Sequence, residues 1–149
     1  MVKVNRNKQT PAISRDPEFL VSLKPEAILW QPLFEGAEIA ILSGDPNDGR
    51  SPHVIRVKHR DGLKVPPHWH SFDENITVVS GRWVGLEFRA GSYVVVPKKV
   101  PHFALCKGET IVQGHFVGPI DTTVVRPDDD RRNKTVIAES LRPVLEWDF

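Results

Sequence analysis

The chain has 149 residues, enough for one domain with its own apolar core. It is 40% hydrophobic and 26% charged, with a formal net charge of +1. That balance excludes a disordered chain, and it offers neither the basic excess of a nucleic-acid binder nor the single-sign surface that seeks an anionic membrane. Thirteen prolines and ten glycines point to many turns, as short-stranded β proteins need.

Residues 1–27 are polar and broken by Pro11, Pro17 and Pro25, and they read as an irregular arm with a short helical turn near Pro17. Residues 28–31 form a first strand and residues 38–43 a second, closed by the turn residues Gly44 to Gly49. Residues 53–59 alternate: His53, Ile55, Val57 and His59 share one face, and Arg56 and Lys58 the other. Asp61-Gly62 turns the chain. Residues 76–80 are rich in β-branched side chains, and residues 83–88 follow Gly81 as a hairpin partner. Residues 92–97 form a compact apolar strand of the kind that builds a buried barrel wall. Residues 102–106 and 110–117 read as two strands around Lys107-Gly108-Glu109, and residues 122–125 as one more. Residues 127–149 read as a tail, with a solvated charge run at Asp128–Arg132 and a short C-terminal helix near 136–145. Residues 28–126 are thus expected to hold the folded unit, with arm and tail belonging to the same all-β domain.

Cys106 is the single cysteine, so no internal disulfide is available. No apolar run follows the basic N-terminus, and no stretch has the length of a transmembrane helix. A cytoplasmic location is the expectation.

Four residues carry chemistry: His68, His70, Glu74 and His102. Three imidazoles and one carboxylate make a good set for a divalent transition metal, and ligand identity alone does not separate iron, manganese, nickel and zinc. Side chains two apart on a strand point the same way, so His68 and His70 project together while Trp69 opposes them. Glu74 keeps their parity beyond a bend at Ser71-Phe72-Asp73. His102 is remote in sequence, and only a closed fold brings it within the ~2 Å of a metal–nitrogen bond.

These residues resemble the cupin superfamily. Gly62, His68, His70, Glu74 and Gly81 fall in the spacing of its first motif, and Gly91, Pro97 and His102 in that of its second. Lys99 stands where the second motif has glycine, and Cys106 where it has asparagine. Only nine residues separate Gly81 from Gly91, a short connection for the family. The resemblance implies a cupin-type double-stranded β-helix, or jelly-roll barrel, with one divalent metal held inside by His68, His70, Glu74 and His102. It also implies a metal-dependent enzyme, a dioxygenase-like oxidoreductase or a lyase. The substrate would be a small oxygen-rich molecule such as a diketone, enediol, flavonoid or dicarboxylate. Glu74 would double as a catalytic base, and Arg56, Gln113 and His115 are candidates for substrate binding. The alternative is a non-enzymatic, metal-dependent ligand sensor. Small cupins pair as homodimers, and the arm with Phe19, Leu20 and Trp30 would suit an exchange between copies.

Overall fold

A computed structural model describes residues 22–84 and 87–125. The expected C-terminal helix, the charge run and most of the N-terminal arm lie outside these residues. After a 3-10 turn at Pro25–Ala27 come nine strands: β1 (Gln31–Phe34), β2 (Ala37–Ser43), β3 (Pro52–His59), β4 (Lys64–Trp69), β5 (Glu74–Val84), β6 (Phe88–Arg89), β7 (Tyr93–Val96), β8 (His102–Val117) and β9 (Thr123–Val124). Every pairing is antiparallel, and the sheet is all-β with the curl of a jelly-roll barrel.

β8 is the spine. Its second half lies between β3 and the first half of β5, with Gln113 opposite both Arg56 and Thr77. Its first half lies between β4 and the end of β5, with Leu105 opposite both Lys64 and Val84. One strand therefore serves two walls, and it must bend between them. The bend is at Gly108, whose φ is +74°. Its N–H donates to Asp61 Oδ1 at 2.6 Å. β5 bends at the same level, at Gly81 (φ +74°), where its register with β8 shifts. A Cβ on Gly81 would collide with the Glu109 carbonyl and Thr110, so only glycine fits. Thr110, fully buried, closes the gap: its hydroxyl accepts from Arg82 N–H and reaches the Gly108 carbonyl.

Four expectations are revised, the first two by these bends. Gly81 does not end a strand, and the hairpin closes after Val84, with Arg82 and Trp83 opposite Arg89 and Phe88. Residues 102–117 are one strand, not two. In both places glycine supplies a bulge, which needs the same left-handed backbone as a turn. β7 is not a buried wall: it pairs only with β5 among the described strands, and Tyr93 and Val95 are 56% and 48% exposed. The first strand also begins later than expected, at Gln31.

The interior follows the period-2 pattern. Ile55 and Val57 of β3 pack with Ile39, Phe72 and Phe116; Ile76, Val78 and Val112 pack against Trp83 and Val94; Ala37, Leu63 and Cys106 pack against Val65 and Trp83. Each large side chain so buried contributes roughly 1.5–3 kcal/mol. Burial pushes the Cys106 thiol up to about 11, as befits an inert core residue.

Candidate metal centre

His68 near the end of β4 and His70 just beyond it are delivered to the interior. β5 begins with Glu74, and β8 begins with His102, paired directly with His68. Two hydrogen bonds staple the loops that carry these residues: Lys99 N–H donates to the His70 carbonyl at 2.8 Å, and Lys98 N–H donates to Asp73 Oδ1 at 2.8 Å. Lys99 holds φ at +63°, the left-handed conformation that the family's glycine adopts without strain. The turn is therefore kept although the residue is not.

The three histidines lie with ligand atoms within 4.8 Å of one another. Glu74 Oε2 lies 3.2 Å from His102 Nε2 and 3.6 Å from His70 Nε2. The far side of each ring is held by a main-chain carbonyl. His68 Nδ1 meets the Pro66 carbonyl at 2.7 Å, His102 Nδ1 meets that of Val100 at 3.1 Å, and His70 Nδ1 meets that of Asp121. A carbonyl only accepts, so each Nδ1 carries the proton and each Nε2 keeps a lone pair. Asp121 is itself tied back, its Oδ1 accepting from Ser71 N–H at 2.9 Å. Phe72 fixes the His70 ring by stacking on it at 5.1 Å, with Phe116 stacked behind at 4.6 Å.

The electrostatics of His68 agree with this tautomer. Burial, reinforced by the neighbouring His102 and His70 rings, lowers the His68 pKa to about 3, so His68 is neutral at neutral pH. Burial works to raise the Glu74 carboxyl, but a hydrogen bond from the His102 ring and positive charge on the His70, His102 and His68 rings outweigh it, so that without a metal a proton takes the cation's place and holds the pKa below its ordinary value. In the Nδ1-protonated tautomer the buried Glu74 Oε2 has no hydrogen-bond partner. A carboxylate oxygen facing imidazole lone pairs, with no proton between them, is an arrangement that a cation resolves. The donor set fits one divalent transition metal.

The substrate-binding candidates are placed differently. Arg56 and Gln113 are opposite each other across β3 and β8, and Arg56 Nε donates to Gln113 Oε1 at 3.0 Å. Both alternate with the core residues Val57 and Val112, so they occupy the sheet face turned away from the histidines. His115 is exposed on the same parity. The structure brings none of the three to the cluster. Sequence reasoning missed Asp121, whose contribution is a backbone carbonyl and leaves no signal in residue type. His53 and His59 are interior, on the face they share with Ile55 and Val57. His53 sits edge-on to Phe116 at 4.5 Å.

An antiparallel curled barrel with an interior histidine cluster defines the cupin class. The chain belongs to the cupin superfamily: the family described as the ChrR Cupin-like domain matches residues 20–121. Several solved structures share the fold. KdgF from Halomonas sp. is 22% identical, with 69% of this chain and 97% of that one covered and a TM-score of 0.55. A protein of unknown function with a cupin-like fold from Ralstonia eutropha JMP134 is 23% identical, with 74% of each chain covered and a TM-score of 0.57. The DMSP lyase DddQ from Ruegeria pomeroyi DSS-3 is 16% identical, with 69% and 64% covered and a TM-score of 0.54. The complex of Rhodobacter sphaeroides SigE with the anti-sigma ChrR also matches, at 20% identity, 62% and 50% coverage and a TM-score of 0.52. No curated protein matches the chain.

Proposed function

We propose that this protein is a metal-dependent cupin enzyme acting on a small oxygen-bearing molecule. His68, His70 and His102 would bind one divalent metal through Nε2, and Glu74 through its carboxylate. The observation that carries the reading is the set of three carbonyl-locked Nδ1 atoms, which leaves three Nε2 lone pairs converging on a buried, unpartnered carboxylate oxygen. A bound metal would supply Lewis-acid or redox chemistry, with positions left open for a substrate oxygen. The protein's part is to orient the rings, His70 by the stacked Phe72, and to offer Glu74 as an anionic ligand. Lyase and dioxygenase chemistry both suit such a site, and a DMSP lyase among the fold's neighbours favours testing elimination as well as oxidation.

A second reading is a ligand sensor. The match to the ChrR Cupin-like domain favours it, as does the likeness to a complex in which ChrR is the anti-sigma partner of SigE. The two are separated by loading the full chain with iron, manganese, nickel or zinc and screening it for oxygen consumption with diketones and flavonols, and for elimination with small carboxylates. Turnover that is lost in His102→Ala supports the enzyme. One metal per chain with no turnover in any screen supports the sensor, and failure to take up metal refutes both.

We further propose that the protein forms a homodimer, with Tyr93 and Val95 on the open strand β7 as its apolar contribution. A monomeric mass by light scattering at micromolar concentration refutes this.

A further inference from the structure

Beyond β8 the chain runs back along the edge of β4. Ile120 anchors it: its N–H donates to the Pro46 carbonyl at 2.9 Å, and its side chain packs against the cluster of Phe72 and Phe116. From there to Val125 the chain is held by residues 67–71, the stretch that carries His68 and His70. The Asp121 carbonyl accepts from His70 Nδ1, and Asp121 Oδ1 accepts from Ser71 N–H at 2.9 Å. Thr123 and Val124 of β9 pair with Trp69 and His68 of β4, and Val125 N–H donates to the Pro67 carbonyl at 2.8 Å.

This strap has little of its own to keep it in place. Among the described strands β9 pairs only with β4, it is two residues long, and Val124 is 50% exposed. Exposed backbone hydrogen bonds with few apolar contacts are the first to open. The strap is therefore as firm as His68 and His70 are. A cation on His70 Nε2 draws electron density from the ring, which makes Nδ1–H a stronger donor to the Asp121 carbonyl. Such coupling is reciprocal: by whatever factor the metal favours the closed strap, the closed strap favours the metal.

We propose that residues 121–125 are a metal-ordered strap: an ion on the histidine cluster closes β9 onto β4, and loss of the ion lets the strap lift from Asp121 onward and bares the edge of β4 at Pro67–Trp69. A bared strand edge is a surface that another extended chain can pair with, so metal occupancy becomes a change at the surface. The device regulates the site described above and rests on the metal reading.

The test is amide hydrogen exchange, read by mass spectrometry, on the full chain in chelator and with one zinc per chain. In chelator, residues 121–125 exchange faster than β3. Zinc slows them roughly tenfold or more, the worth of an outer partner to a metal ligand. β1, the edge strand at the other end of the sheet order, keeps its rate. Val125→Pro removes the donor to the Pro67 carbonyl without touching a ligand. It still binds one zinc, but roughly fivefold more weakly by calorimetric titration, the worth of one hydrogen bond. Should that variant not fold, the wild-type exchange decides alone. Zinc that binds without slowing residues 121–125, or that slows β1 equally, overturns the proposal, as does wild-type zinc affinity in folded Val125→Pro. Protection equal to that of β3 in chelator shows a strap closed without metal and also overturns it. A wild type that takes up no zinc refutes the metal reading, and the strap falls with it.

Discussion

Acid should weaken the metal-free protein well above the pH at which carboxylates titrate. His68 and His59 are both buried, with pKa values lowered from 6.5 to about 3 and about 4. In the unfolded chain both take up a proton near pH 6.5, and in the folded chain neither does until far lower pH. Between those limits the unfolded state holds more protons, so stability rises with pH and is lost as pH falls. At pH 5 the unfolded side chains are ~1.5 pH units below their midpoint. At ~1.4 kcal/mol per unit, each position costs about 2 kcal/mol, or about 4 kcal/mol together. That is a large share of the ~5–15 kcal/mol that holds a typical domain. Glu74 acts in the same direction in a lower window, because its folded pKa is depressed and its contribution is lost only as pH falls below the ordinary carboxylate range. Urea denaturation in chelator at pH 7, 6 and 5 measures the effect. The expected result is a fall of about 4 kcal/mol from pH 7 to 5, about half as large in His59→Phe. A free energy that stays flat over that range would show that these rings are hydrated or already charged in the fold, and the argument from burial would fail.

Three further outcomes follow from the site. Glu74→Gln removes the one anionic ligand while keeping its shape, and calorimetric titration should show metal affinity falling by more than the roughly 10–100-fold that an outer partner is worth. Asp121→Ala cuts the tie to Ser71 that holds the carbonyl over His70, and should weaken metal binding by roughly tenfold, whereas Asp121→Asn, which keeps an acceptor, should not. Lys99→Gly relieves a left-handed residue, and thermal denaturation should show it more stable by about 1 kcal/mol, with metal binding unchanged.

The legible part of this chain was its alternation and its motif spacing. Residues 53–59 show as a strand because side-chain type changes with period 2, residues 92–97 because they form a short apolar run, and His68 and His70 share a face because side chains two apart on a strand point the same way. The barrel class followed from the five residues of the first motif. Strand length was not legible. Gly81 and Gly108 have the positive φ that a turn demands, yet both sit inside long strands, because bulge and turn ask the same of glycine and only pairing with β8 distinguishes them. The facing of Arg56, Gln113 and His115 was not legible either. Parity says that Arg56 opposes Val57, but not which of the two faces is closed over. His59 shows the reverse: it shares a face with Ile55 and Val57, so its interior position could be read, but its missing partner could not. The carbonyls of Pro66, Val100 and Asp121 belong to the backbone, and no residue type announces them.

X-ray absorption at the edge of the bound metal, on protein loaded to one ion per chain, tests the central proposal most directly. The account predicts imidazole scattering from three histidines and one carboxylate oxygen, with first-shell distances of about 2.0–2.2 Å for zinc, and loss of one imidazole in His102→Ala. Sulfur in the first shell, an all-oxygen shell, or a spectrum unchanged by His102→Ala would contradict it.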